Sequence, residues 1–96
     1  MQPVTDRLKN FLQFVAVKLI DHPAKAQLKV AELAPKKLRF KLVLEREDVA
    51  MLIGRNGFTA SAIRNVLKAA AEKEGIQVSL QIHSHEEEAE MQVRGE

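Results

Sequence analysis

The sequence predicts an α+β fold, a three-stranded sheet covered by helices in the order α-β-β-α-α-β. Three observations indicate this class. Apolar residues recur at helical spacing in the first 20 residues. Strict alternation marks residues 38–44 and 76–82 as strands. Between these strands, a Gly-x-x-Gly run separates two segments of helical character. A chain of 96 residues has room for one such domain.

The first helix is predicted to begin near Pro3 and Thr5, where a proline and a capping side chain favour a helix start. Asp21-His22-Pro23 ends it, because the residue before a proline avoids the α region. His22 therefore has a structural role rather than a catalytic one. The apolar surface of this helix is wider than one stripe, so either the helix is deeply buried or a second apolar face meets another subunit. The apolar residues are Leu8, Phe11, Leu12, Phe14, Val15, Val17, Leu19 and Ile20.

Two strands joined by a tight turn come next. Leu28 and Val30 alternate with polar residues, and Pro35 marks the turn. The short connection predicts an antiparallel hairpin. In the second strand we expect one face to enter the core while Arg39 and Lys41 face solvent. The core face consists of Leu38, Phe40, Leu42 and Leu44.

The remaining elements flank the glycine run. Glu47 and Asp48 suit the start of a short helix that Gly54 ends. The next helix, from Thr59 to Glu74, ends before Gly75. One side of it is apolar, and another carries an i, i+4, i+8 row of Arg64, Lys68 and Glu72. The third strand then alternates at Ile76, Val78, Leu80 and Ile82.

Charge divides the chain into a basic body and an acidic end. Residues 1–82 carry 14 Lys and Arg against 8 Asp and Glu, whereas residues 83–96 carry 1 Arg against 5 Glu. A basic body favours a polyanionic partner. We therefore predict one domain over residues 1–83 and an acidic, disordered tail over residues 84–96, which can compete with such a partner for the basic surface.

The run Gly54-Arg55-Asn56-Gly57 is the strongest functional signal. Two glycines around a basic and an amide residue suit a loop whose backbone approaches a ligand closely. A helix begins just beyond, so its free N–H groups and positive dipole end suit a phosphate. Two glycines three apart are common, however, and the loop alone is better read as a helix cap and a turn. Its context favours phosphate contact.

With Leu52-Ile53-Gly54-Arg55-Asn56-Gly57 ahead of Ala62-Ile63-Arg64 and Lys68-Ala69-Ala70-Ala71, the chain resembles a KH domain of type II, the bacterial form. More narrowly, it resembles the small stand-alone bacterial KH proteins of the KhpA (YlqC-like) family. Asp21-His22-Pro23 and the run from Ile63 to Ala71 both look like that family. The resemblance covers roughly residues 8–82. It implies binding of single-stranded RNA, about four nucleotides per domain.

The resemblance assigns RNA-binding roles to eight residues. Gly54 and Gly57 let the backbone approach the phosphates, Arg55 supplies charge, and Asn56 supplies a hydrogen-bonding side chain. Ile53 and Ile63 contribute to the groove floor, although a core position suits them better. Arg64 and Lys68 extend the basic track along the helix. A solvent-exposed helix face carries such residues in any case, so an ordinary surface position explains them equally well.

The chain departs from the family at three positions near the loop. Ala50-Met51 stands where a Gly-Lys pair is common, so one positive charge is missing. Phe58 replaces a basic or small polar residue, and its ring would stack on a base or ribose if exposed.

Other functional classes find little support. No serine or threonine stands at a motif spacing to histidine and carboxylate, and cysteine is absent, so no catalytic residue is assigned and an enzyme is not expected. The loop matches neither a Walker A nor a dinucleotide motif, so neither a cofactor nor a small-molecule substrate is expected. His83-Ser84-His85 makes a poor metal site. No stretch is apolar enough to span a membrane, and no signal peptide is recognisable.

We therefore expect a cytoplasmic protein that binds single-stranded RNA. The resemblance implies a homodimer, or a heterodimer with a larger KhpB (Jag-like) KH protein. It also implies an RNA chaperone or regulator connected with cell elongation and division. Two alternatives remain open: a protein-interaction subunit in which dimerisation is the main role and RNA contact is incidental, and a ribosome-maturation factor of KH topology.

Overall fold

A computed structural model describes residues 2–93, except for the side chains of Gln2 and Arg55. It contains α1 (Gln2–Leu19), β1 (Gln27–Ala34), β2 (Lys37–Leu44), α2 (Arg46–Ile53), α3 (Phe58–Glu72), β3 (Gln77–Ser84) and α4 (His85–Val93). Short 3₁₀ turns lie at Pro23–Lys25 and Arg55–Gly57. The first six elements confirm the predicted order, and α4 adds an element that the sequence pattern did not predict.

The sheet has the strand order β1-β2-β3. β1 and β2 form the predicted antiparallel hairpin, in which Val30 lies opposite Phe40. β3 pairs with β2 in parallel and places Leu80 beside Phe40. A parallel pair needs a long crossover connection, and α2 and α3 supply it. β3 is therefore a free edge of the sheet.

Helices α1, α2 and α3 cover one face of the sheet, which we call the inward face. Alternation along the strands turns the apolar side chains of β2 toward these helices, as predicted. The side chains buried most completely include Leu12, Phe40, Leu44, Leu52 and Leu67, which come from α1, β2, α2 and α3. The core therefore fixes the two helices around the glycine loop against the sheet.

A buried carboxylate connects the end of α1 to the start of α2. Asp48 has no exposed surface. Its two oxygens accept the backbone N–H groups of Asp21 and His22, at 3.0 and 2.9 Å. These N–H groups would otherwise lack partners where the chain leaves α1. Asp48, expected only as a favourable charge in a first helical turn, thus also holds the Asp21-His22-Pro23 segment in place.

The tail prediction was wrong for residues 85–93, which form α4. Ser84 and Glu87 make a reciprocal capping box. The Ser84 N–H donates to Glu87 Oε1 at 2.9 Å, and the Glu87 N–H donates to Ser84 Oγ at 3.1 Å. Glu86 pairs with Arg46 at 3.1 Å, and His85 Nε2 lies 2.7 Å from the Lys25 carbonyl oxygen. Residues 94–96 lie outside the described range.

The expectation that Lys41 faces solvent was also wrong. Lys41 points away from the inward face, as its place in β2 requires, but its side chain is only 14% exposed. Glu88 of α4 covers it, with Oε2 3.2 Å from Lys41 Nζ. On the same face, Val43 is fully buried. Because α4 packs on one end of this second face, its side chains are not simply solvated.

Candidate nucleic-acid interface

The loop between α2 and α3 has a backbone that few residue types adopt. Gly54 (φ 71°), Asn56 (φ 56°) and Gly57 (φ 75°) all have left-handed φ values. Glycine adopts them without steric cost, and asparagine tolerates them better than most residues. The Gly54 N–H closes α2 by donating to the Ala50 carbonyl at 3.1 Å. Three left-handed residues in four give the loop its sharp reversal.

The two glycines are required for different reasons. A Cβ on Gly54 would lie 2.9 Å from the Cβ of Thr59 and would also collide with its hydroxyl. A Cβ on Gly57 would meet nothing within 4 Å. Gly54 therefore lets the loop pack against the first turn of α3, whereas Gly57 leaves open space in front of the loop. No side chain caps the N-terminus of α3 at Gly57, so its first N–H groups can face a ligand.

A groove runs along α3, beginning beyond its first turn. Its first part is lined by Arg64, Leu67, Lys68, Val78, Ser79 and Leu80. An adjoining depression is lined by Lys68, Glu72, Ile76, Gln77 and Val78. The two share Lys68 and Val78, so they form one continuous groove between α3 and the edge of β3. Along it α3 and β3 run in opposite directions, since Arg64 lies beside Leu80 and Glu72 beside Ile76.

Arg64 bridges the two walls of the groove. Its Nε donates to the Leu80 carbonyl oxygen at 3.1 Å. This contact uses one of the five N–H donors of the guanidinium, and no other partner of the group occurs among the described residues. Lys68 lies one turn farther along α3 and is exposed. The groove thus combines an apolar floor with two cations at its rim, which suits a backbone of linked phosphates.

Of the predicted RNA-binding residues that the structure describes, Arg64 and Lys68 line this groove, and the residues of the loop and its flanks do not. Asn56 is exposed, and Phe58 is 71% exposed at the start of α3. Ile53 is 39% exposed at the end of α2. Ile63, by contrast, is 8% exposed and packs in the core. It therefore supports the surface from below and offers a ligand little contact area. The Arg55 side chain lies outside the described part of the chain.

The sequence reasoning missed the second wall of the groove. Val78, Ser79 and Leu80 line it because β3 is an edge strand whose outer side faces α3. The alternating pattern predicted the strand but not its parallel pairing with β2. The position of β3 at the edge of the sheet therefore could not be predicted. The capping box of α4 did have a signal, Ser-x-x-Glu at Ser84 and Glu87, which the glutamate run obscured.

Over the described residues, no group of three or more His, Asp or Glu side chains is arranged to hold a metal ion. None of the helices in residues 2–93 is both long and apolar enough to cross a membrane. His83 lies on the face of β3 turned away from the core helices, and the neighbouring His85 contacts a backbone carbonyl. The described part of the site thus offers backbone, amide, aromatic and cationic groups for binding.

Comparison with known proteins identifies relatives over most of the chain. The sequence model of the family described as KhpA/KhpB, KH domain, matches residues 9–82. A Clostridium acetobutylicum protein named RNA-binding protein KhpA is 37% identical over 76 residues, covering 78% of this chain and 99% of the relative. Proteins of the same name from Chlamydia muridarum and Halalkalibacterium halodurans are 31% and 32% identical. Both alignments cover 78% of this chain, and 95% and 97% of those relatives. α4 lies beyond the residues that the family model matches.

Proposed function

Since the chain belongs to the KhpA/KhpB KH-domain family, we propose that it binds single-stranded RNA in the groove between α3 and β3. One observation carries the proposal: the Gly54–Gly57 loop, with three left-handed residues, leads directly into α3, and α3 lines the groove with the cations Arg64 and Lys68. The curated relatives, which carry the name RNA-binding protein KhpA, support it.

In this proposal the RNA backbone passes the loop and the bases enter the groove. Open space in front of Gly57 lets phosphates approach the backbone N–H groups at the start of α3. Arg64 and Lys68 neutralise the following phosphates, while Val78, the only apolar lining residue of this part of the groove that is not buried, contacts the bases from below. Phe58, exposed beside the loop, stacks on a base or a ribose. Arg55 and Asn56 act on the backbone next to Gly54 and Gly57.

Mapping by NMR tests this placement. On titration with an unstructured RNA tetranucleotide, we expect backbone amide shifts to change at residues 54–60 and along Val78 and Leu80. Residues of the α1–β1 connection serve as an internal reference and should not shift. Saturable binding with changes confined to the reference region would place the RNA elsewhere and contradict the groove.

At the cellular level, we extend the proposal to a cytoplasmic RNA chaperone or post-transcriptional regulator connected with cell elongation and division. A tetranucleotide footprint supplies limited affinity, so a second KH module would help by raising the effective concentration. A second copy of the chain or a larger KhpB-like protein would supply that module.

One observation favours a protein-interaction role beside RNA binding. On α1, Phe14 is 65% and Val17 is 54% exposed, an apolar surface that the folded chain does not cover. Sedimentation of a Phe14→Ser, Val17→Ser variant separates the roles. Loss of self-association with full RNA binding would assign α1 to the partner and the groove to RNA.

A further inference from the structure

The face of the sheet opposite α1, α2 and α3, which we call the outward face, is strongly basic. Alternation and register place four cations on it: Lys29 from β1, and Lys37, Arg39 and Lys41 from β2. β3 adds only uncharged or weakly basic side chains there: Gln77, Ser79, Gln81 and His83. None of the strand residues on this face is acidic. Folding alone gives no reason for such one-sided charge.

Two of these cations are placed against each other. Lys29 lies directly opposite Lys41 in the antiparallel pair, and like charges in that position destabilise a sheet. Both lysines border a depression in the surface of the sheet. Its lining consists of Lys29, Val30, Ala31, Arg39 and Lys41. The short side chain of Ala31 leaves this depression open, so three cations surround a space suited to an anion.

The protein itself places an anion beside this depression. Glu88 of α4 lies 3.4 Å from Lys29 Nζ and 3.2 Å from Lys41 Nζ. One carboxylate thus contacts both opposed lysines, as a phosphate oxygen pair would. Arg39 has no ion-pair partner among the described residues. Lys29 keeps 45% of its side chain exposed, so the face still offers charge to an external ligand.

The outward face continues directly from the groove. Ser79 lines the groove at the edge of β3, and its register partner in β2 is Arg39. Adjacent strands are about 4.8 Å apart, so a strand of RNA that leaves the groove over this edge meets Arg39 next. From Arg39, one further strand spacing reaches its β1 partner Ala31, and Lys29 lies two residues from Ala31 on the same face. This continuity favours RNA over an acidic protein as the occupant.

We propose that the outward face is a second RNA-backbone site, where Lys29, Arg39 and Lys41 bind phosphates and Glu88 holds the two lysines until RNA displaces it. The proposal rests on RNA binding in the groove and extends it to longer RNAs. A tetranucleotide fills only the groove, whereas a longer strand crosses β3 onto the outward face. α4, beyond the family-matched residues, then sets how strongly the longer RNA binds.

The test compares a uridine tetranucleotide with a uridine 20-mer on the full chain. The face variant is Lys29→Gln with Arg39→Gln, and the matched control is Lys9→Gln with Lys18→Gln. The control removes the same charge from α1, on the other side of the sheet. We expect all proteins to bind the tetranucleotide equally. For the 20-mer, the face variant should lose about tenfold in affinity, and its salt slope should be less steep by about 1.4, for two contacts.

A second variant keeps the test decisive if the face variant folds poorly. Glu88→Gln removes the competing charge with little change of shape, so the 20-mer should bind more tightly while the tetranucleotide binds as before. Equal 20-mer binding and equal salt slopes in the face variant and the control would overturn the proposal. Failure of the wild type to bind either RNA would instead refute RNA binding in the groove.

Discussion

At the scale of single residues, a substitution at Gly54 affects folding as well as binding, whereas a substitution at Gly57 affects binding alone. A side chain on Gly54 would collide with Thr59, so its loss would disturb the start of α3 as well as any ligand contact. Gly57 has open space and a left-handed conformation that asparagine and aspartate tolerate. Replacing both glycines at once would confuse folding with binding. Gly57 is therefore the position at which binding can be changed alone.

Phe58 gives a prediction at this scale. Its ring is 71% exposed, so Phe58→Ala should leave the free energy of unfolding nearly unchanged. If the ring stacks on a base, the same change should weaken tetranucleotide binding by about 1–3 kcal/mol. Phe14→Ala is the matched control, since Phe14 is 65% exposed on α1, away from the groove. Fluorescence anisotropy measures both, and equal affinities for the two variants would remove Phe58 from the site.

At the scale of elements, local patterns predicted most of the fold. The alternation at Leu38, Phe40, Leu42 and Leu44 gave β2, and the short turn gave its antiparallel pairing with β1. These are short-range features. The parallel pairing of β3 depends on the crossover through α2 and α3, so the second wall of the groove could not be predicted. The capping box gave α4 a local signal, but its docking on the sheet depends on Lys29 and Lys41, far away in the sequence, and could not be predicted.

The docking of α4 predicts a pH dependence. The Ser84 N–H, donating to the carboxylate, lowers the pKa of Glu87. Burial by itself raises the pKa of Glu88, but its contacts with Lys41 and Lys29 outweigh that effect and lower it. A carboxyl group with a lowered pKa stabilises the fold while ionised. Its contribution is complete above the ordinary value of about 4.5 and is lost as pH falls through the lowered pKa.

Glu88→Gln should therefore reduce the free energy of unfolding by about 1–2 kcal/mol at pH 7, between the ranges for exposed and buried pairs. The difference from the wild type should begin to shrink near pH 4.5, where the carboxyl of the unfolded chain takes up a proton, and should vanish once pH falls through the lowered pKa of the folded protein. Urea unfolding at several pH values measures it. A difference that stays constant down to pH 3 would mean that the Glu88 charge does not stabilise the docked helix.

At the scale of the whole molecule, charge is segregated between surfaces. The body is basic and the end of the chain acidic, as the sequence showed. Of the acidic residues in α4, Glu88 is buried against the outward face, whereas Glu86, Glu87 and Glu90 are exposed. The groove, on the edge between α3 and β3, keeps Arg64 and Lys68 at its rim. The cations of the groove thus have no carboxylate partner among the described residues, while Glu88 neutralises part of the outward face.

Salt dependence follows from this arrangement. If Arg55, Arg64 and Lys68 each contact a phosphate of a bound tetranucleotide, the logarithm of affinity should fall with that of salt concentration at a slope of about −2. This uses roughly −0.7 per contact for single strands. Isothermal titration calorimetry at salt concentrations from about 50 to about 400 mM measures the slope. A flat response would indicate stacking without phosphate contact.

The comparison of Gly57→Asp with Gly57→Asn tests the central claim, that the loop binds an RNA backbone, most directly. The two side chains have nearly the same shape and tolerate the left-handed backbone of this position (φ 75°), but only aspartate adds a charge. Both variants should fold as the wild type does. The aspartate variant should bind a tetranucleotide about tenfold more weakly than the asparagine variant, because its carboxylate repels a nearby phosphate. Equal affinities of the two folded variants would contradict the claim.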